Sequence, residues 1–147
     1  MKLTHRYFLL FLFFLVIAWY PHPVSSVSVT IDKLRNNKGQ VLICLFKDGN
    51  GYPDDPAKAI RKGKATIIEG NKAVIDFMDL STGNYAAVVL HDENSNSKMD
   101  KNWIGLPREG YGFSNNVMGA FGPPGFSKAS FEYDGNKQVQ ISIRLRY

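Results

Sequence analysis

Val139-Gln-Ile-Ser-Ile-Arg-Leu-Arg146, near the end of the chain, alternates apolar and polar side chains without a break. Period two is the mark of a strand with one face in a core and one in water, because successive side chains point to opposite sides of a sheet. The alternation predicts that Ile141 and Ile143 face inward and Ser142 outward. Upstream, Ala129–Asp134 reaches this strand across Gly135-Asn136, a hairpin signal. Val27, Val29 and Ile31 alternate with Ser28, Thr30 and Asp32 in the same way. Val41-Leu-Ile-Cys-Leu-Phe46 and Tyr85-Ala-Ala-Val-Val-Leu90 are apolar throughout, as expected of central strands covered on both faces. Lys64–Glu69 and Ala73–Phe77 flank Gly70-Asn71, where a leading Gly suggests a type II′ turn. Asp54–Lys62, with Pro56 early, predicts one or two helical turns. The expected fold class is all-β: an antiparallel seven-stranded sandwich of immunoglobulin or transthyretin-like type with one long ordered loop.

The first 26 residues stand apart. Lys2 and Arg6 precede an unbroken apolar run, Tyr7–Tyr20, and a short polar stretch follows with Val24 and Ser26 at the places of a small-residue cleavage site. This is the layout of a secretory signal peptide. A helix over Tyr7–Tyr20 spans about 21 Å, short of the roughly 30 Å hydrocarbon core, so no stable transmembrane segment is expected after processing. The expected organisation is a signal peptide over 1–26 and a β-sandwich domain over 27–147, exported to the periplasm or secreted. Removing Lys2 and Arg6 lowers the net charge from +5 to +3. So modest a charge on an exported chain gives no reason to expect a nucleic-acid partner. The lone Cys44 excludes an internal disulfide and reads as a small apolar residue within its strand.

Between the apolar strands lies a segment, 91–127, longer than compact domains usually leave without regular structure. Its second part, Gly110–Ser127, has no charged residue and five glycines. Trp103, Tyr111, Phe113, Phe121 and Phe126 fall within the segment, a composition unlike that of disorder. Trp103, Tyr111 and Phe113 are the candidate ligand-binding residues, for a glycan, peptide or protein of the envelope or the extracellular space. Alternatively, the rings fold back over the open end of the sandwich.

The first part of the segment reads Asp92-Glu-Asn-Ser-Asn-Ser-Lys-Met-Asp100. Counting Asp92 as position one, Asp92, Asn94, Asn96 and Asp100 supply side-chain oxygens at the first, third, fifth and ninth places, and Lys98 supplies its carbonyl at the seventh. That is the register of a calcium loop, in which alternate groups of a tight coil converge on one hard cation. Ser97 stands where such a loop has Gly and Trp103 where an EF-hand has its bidentate Glu, so Glu93, Glu109 or Asp79 would have to complete the shell. The competing reading is a turn whose Asn and Ser side chains cap their own backbone without any ion.

Phe77-Met-Asp-Leu-Ser-Thr-Gly-Asn-Tyr-Ala86 resembles the F-x-x-L-x-x-G-x-Y corner of transthyretin-like and carboxypeptidase-regulatory-like sandwiches. The continuation through His91–Asp100, Gly105–Asn116 and Gly122–Phe126 resembles the DUF2141 family of exported bacterial proteins. The resemblance implies a small secreted or periplasmic β-sandwich and carries no established activity. Members of that family usually read Asp-x-Asn-Gly-Asn-Gly-Lys-x-Asp in the loop, and Ser95 and Ser97 replace both glycines here.

The expectation is an exported, non-enzymatic module, ordered by Ca2+ at Asp92, Asn94, Asn96, Lys98 and Asp100, with a binding or structural role in the envelope or outside the cell. The alternative is an envelope hydrolase using the 91–127 loop, with Ser114, His91 and an aspartate such as Asp92, or with a carboxylate pair drawn from Glu93, Asp100 and Glu109.

Overall fold

The computed structural model describes residues 25–120 and 122–147. The expected signal peptide lies almost wholly outside them, as does Phe121. Eight strands form: β1 Ser26–Asp32, β2 Gln40–Lys47, β3 Arg61–Ile68, β4 Lys72–Met78, β5 Gly83–Asp92, β6 Gly110–Phe113, β7 Phe131–Tyr133 and β8 Val139–Arg144. Their hydrogen-bonded order is β6-β5-β2-β3-β4-β1-β8, with β7 paired to the start of β5. Among the described residues, helix is confined to short turns, Pro56–Lys58, Ser114–Asn116 and Phe126–Ala129. No helix among the described residues is long and apolar enough to cross a membrane.

The chain is all-β as expected, but strand number and direction differ from seven antiparallel strands. β1 and β8 run parallel, Val27 opposite Val139 through Asp32 opposite Arg144. Side-chain alternation is the same in either direction, so the period that reveals β8 says nothing of its orientation to β1. The additional strand, β6, is Gly-Tyr-Gly-Phe, and glycine dilutes the strand signal. Both glycines have a packing reason. A Cβ on Gly112 would lie 2.7 Å from the Ile143 side chain, and one on Gly110 would collide with the Tyr147 ring.

β3 pairs with β2 through Arg61–Ala65 and with β4 through Thr66–Ile68, so one strand turns the corner between two groups of strands. The ends of the path meet where Tyr111 and Arg146 exchange two backbone hydrogen bonds of 2.9 Å each. The result is a mixed sheet nearly closed into a barrel-like shape. At the β3–β4 turn both Gly70 and Asn71 take positive φ, 77° and 56°, whereas the expected type II′ turn needs only the first.

Val27, Val29, Ile31, Val41, Ile43, Leu45, Tyr85, Ala87, Val89 and Ile143 fill the interior. The apolar residues on the other face of β5 are covered too. Ala86 and Val88 pack with Phe113, Phe126 and Ala129 in a second cluster, which accounts for a β5 sequence without alternation. Cys44 is half-buried.

Candidate functional site

The site grows from the pairing of the two central strands. β2 and β5 run antiparallel with Gln40 opposite Asp92, so His91 and Asp92 belong to the strand end and the long segment begins only after them. Asp92 is fully buried. One of its oxygens accepts the Asn96 N–H at 3.0 Å. The other accepts the Ser97 N–H at 2.7 Å and the Gln40 amide at 2.7 Å. Burial alone would raise this carboxyl, but the Gln40 amide and the N–H groups of Ser97, Asn96 and Ser95 outweigh it and hold the pKa below the ordinary value.

Asn94 and Asn96 both turn toward Asp100. The Asn94 amide donates to Asp100 Oδ2 at 2.7 Å and the Asn96 amide to Asp100 Oδ1 at 3.1 Å. Their own Oδ1 atoms cap the coil, Asn94 accepting from Asn96 N–H at 3.1 Å and Asn96 from Lys98 N–H at 2.8 Å. Ser95 and Ser97 both sit at φ 61°, so the two serines keep the left-handed backbone that glycine favours instead of widening the turn. Relieving that backbone with Ser95→Gly and Ser97→Gly should raise stability by about 1 kcal/mol, after the greater chain entropy of glycine is set against the left-handed penalty. Thermal melting checks this, with a higher Tm for the double variant.

The carboxylates that could complete an ion's shell are otherwise engaged. Glu109 is buried and accepts the Glu93 N–H at 2.9 Å and the Asp100 N–H at 3.1 Å, tying the two ends of the loop together. Glu93 turns away to Arg35, which grips both its oxygens, and accepts from the Asn36 amide at 2.6 Å. Asp79 precedes β5 while the loop follows it, and a strand of 10 residues separates them by about 33 Å. The Arg35 face also stacks on Tyr147, 4.5 Å from the ring centre. The Tyr147 hydroxyl lies 2.7 Å from His91 Nδ1, and His91 Nε2 lies 3.0 Å from the Lys38 carbonyl. A carbonyl can only accept, so His91 Nε2 carries a proton and donates to Lys38, and Nδ1 shares a hydrogen bond with the Tyr147 hydroxyl.

Arg35 and Asn36 hold the Glu93 carboxyl down to about 2 from 4.5, against the opposing effect of burial. A depressed carboxyl stabilises the fold fully above its unfolded pKa and loses that contribution as pH falls through the folded one. Melting temperature should therefore fall from about pH 4.5 toward about 2. Glu93→Gln should flatten part of that decline, with Asp92 among the carboxyls that supply the rest. An identical acid limb in the variant would refute the assignment.

The three aromatic candidates part company. Phe113 is buried in β6 and Tyr111 half-buried beside it, ring centres 6.1 Å apart. Tyr52 meets Phe113 and Phe126 edge-on, so these rings fold back onto the outer face of β5, whereas the covering alternative expects them over the open end of the sandwich. Trp103 alone stands out in solvent, 95 % exposed. The catalytic alternative finds its residues separately employed. The Ser114 hydroxyl is buried, accepting from Ala87 N–H at 2.9 Å and donating to the Ala129 carbonyl, while both His91 nitrogens are taken up elsewhere. Among the described residues no three His, Cys, Asp or Glu side chains gather as a metal cluster; the candidate loop combines two carboxylates with two amides.

A family model for DUF2141, uncharacterized proteins conserved in bacteria, matches residues 29–142. The chain belongs to the DUF2141 family. No curated protein and no solved structure matches it. The DUF2141 match begins within β1 and ends within β8, so it takes in β2 to β7, parts of β1 and β8, and the loop between β5 and β6. In this DUF2141 chain the braces of the loop, Arg35, Asn36, Gln40 and Tyr147, come from distant strands and turns. No local pattern marks them. Only the Gln40–Asp92 register and the return of β8 bring them to the loop.

Proposed function

We propose that this protein is an exported, non-enzymatic β-domain in which calcium orders the Asp92–Asp100 loop, serving a binding or structural role in the cell envelope or outside the cell. The observation that carries the reading is the turning of the Asn94 and Asn96 amides onto the Asp100 carboxylate, with Ser95 and Ser97 left-handed between them. An amide turned over exchanges its nitrogen for its oxygen at nearly the same place. With both turned, Asn94, Asn96 and Asp100 offer only oxygen, the donor set of a hard cation, beside Asp92 and the Lys98 carbonyl of the register.

The exchange has a cost. It gives up the cap on Lys98 N–H, worth about 1 kcal/mol, while Asn96 N–H keeps its bond to Asp92. Weak affinity follows, in the roughly 10⁻⁴ to 10⁻³ M range of extracellular calcium modules, which matches an exported protein better than a cytosolic sensor. Export itself rests on the leader pattern from Lys2 to Ser26. The non-enzymatic reading rests on Ser114, His91 and Glu109, whose polar atoms are spent on the fold. We also read the curled sheet as a distorted transthyretin-like sandwich whose layers are joined through β3. Calorimetric titration should find one calcium site per chain with a Kd of about 10⁻⁴ to 10⁻³ M, weakened at least about tenfold by Asp100→Ala. The absence of binding at millimolar calcium would overturn the ion.

A further inference from the structure

Residues 101–107 form a small hairpin beyond the Asp92–Asp100 loop, closed by a bridge between Lys101 and Pro107. At its tip Trp103 is 95 % exposed and Ile104 and Leu106 are each 56 % exposed. Among the described residues, the other exposed large hydrophobics, Ile60, Ile68, Met78 and Tyr147, lie singly on other segments. Three large apolar side chains gathered on one projecting turn are unfavourable in water and mark a contact surface.

Four of the turn's backbone N–H groups, those of Asn102, Ile104, Gly105 and Leu106, are bonded within it. Asn102 Oδ1 accepts the N–H groups of Ile104 at 3.1 Å and Leu106 at 2.9 Å. Gly105 N–H donates to the Asn102 carbonyl and Asn102 N–H to the Leu106 carbonyl, both at 2.9 Å. Those four groups can leave bulk water without being stranded. The charges around it are sorted by sign. Lys98, Lys101 and Arg108 are exposed and, among the described residues, take part in no ion pair. The neighbouring acids are held inward, Asp92 and Glu109 buried and Glu93 gripped by Arg35, leaving only Asp100 half-exposed.

We propose that the Trp103-Ile104-Gly105-Leu106 tip inserts into the interfacial region of an anionic lipid surface, with Lys98, Lys101 and Arg108 resting on its head groups. A convex apolar point finds no complementary wall of its own, and a fluid lipid interface adapts to it. Indole rings favour that depth, and each basic side chain near the surface adds attraction. This role rests on the binding-module reading above and does not require calcium.

The test uses the full chain carrying Trp19→Phe, so that Trp103 is the one indole. It is mixed with phosphatidylcholine vesicles containing roughly one third phosphatidylglycerol, with and without lipids brominated near the head group. Trp103 emission should shift to the blue and be quenched by the bromine, in chelator as well as in calcium. Adding Ile104→Ser and Leu106→Ser should weaken the quenching at least about tenfold. Adding Lys98→Gln and Lys101→Gln instead should also weaken it about tenfold or more. Emission that stays at its aqueous wavelength would overturn the proposal and favour a protein partner for the tip. Quenching unchanged by the serine substitutions would overturn it as well, because the apolar leader would then be bringing the chain to the lipid. Failure to bind calcium in the titration, with insertion intact, would sink the ion and leave the tip standing.

Discussion

Ile143→Lys is expected to abolish the cooperative thermal transition, whereas Ser142→Lys should shift the Tm only slightly. Ile143 is fully buried opposite Ile31 in the parallel β1–β8 pair, and its side chain fills the space left by the missing Cβ of Gly112. An ammonium there finds no partner, and burying it costs several kcal/mol against a total stability of about 5–15 kcal/mol. Ser142 lies exposed on the other face, its hydroxyl donating to Asp32 at 2.9 Å, a bond that a lysine replaces with an ion pair. Ile141 is half-buried, so Lys there can lead its charge to water and should cost less than at Ile143. Circular dichroism melts of the three variants check the order. A folded Ile143→Lys protein would mean that β8 does not lie in the register described.

Asp92→Ala should destabilise the protein by about 3–4 kcal/mol in the absence of any ion. The substitution leaves the Gln40 amide and the Asn96 and Ser97 N–H groups without their acceptor at a fully buried position. Asp92→Asn, which keeps one acceptor oxygen, should cost less than half as much. Urea melts measured in chelator separate this structural role from any role in binding. Equal stabilities for wild type and Asp92→Ala would show that these donors find partners elsewhere and that the loop is not anchored at its first residue.

How much of this was legible in the sequence depended on whether the signal was local. The alternation in β1 and β8 and the apolar runs of β2 and β5 located four strands, because covering a face imposes the period directly. Direction was invisible, and so was β6, whose Gly110 and Gly112 are chosen for the side chains that approach them from Tyr147 and Ile143. Of the register Asp92, Asn94, Asn96, Asp100, the coil brings the Asn94 and Asn96 side chains onto Asp100, while Asp92 turns to Gln40 and to backbone N–H groups. Which carboxylates would join them was misjudged. Glu109 serves backbone N–H groups, Glu93 serves Arg35, and Asp79 lies at the other end of a strand. Those assignments depend on strand pairing between residues far apart in the chain. The aromatic set divided for the same reason: Phe113 and Tyr111 belong to a strand, while Trp103 sits exposed on a hairpin tip.

Thermal melting of the full chain in calcium and in chelator, beside Asp100→Ala, tests the ordering of the loop most directly. Asp100 is half-exposed and its carboxylate accepts only from two side-chain amides, so losing that carboxylate leaves the fold standing in a way that loss of Asp92 does not. Calcium at roughly ten to a hundred times its Kd stabilises a protein by about 1.4–2.7 kcal/mol, which in a domain of this size raises the Tm by about 5–10 °C. That rise is expected in the wild type and should vanish in Asp100→Ala. A wild-type Tm that ignores calcium, or an equal rise in both proteins, would contradict an ion held between Asp92 and Asp100.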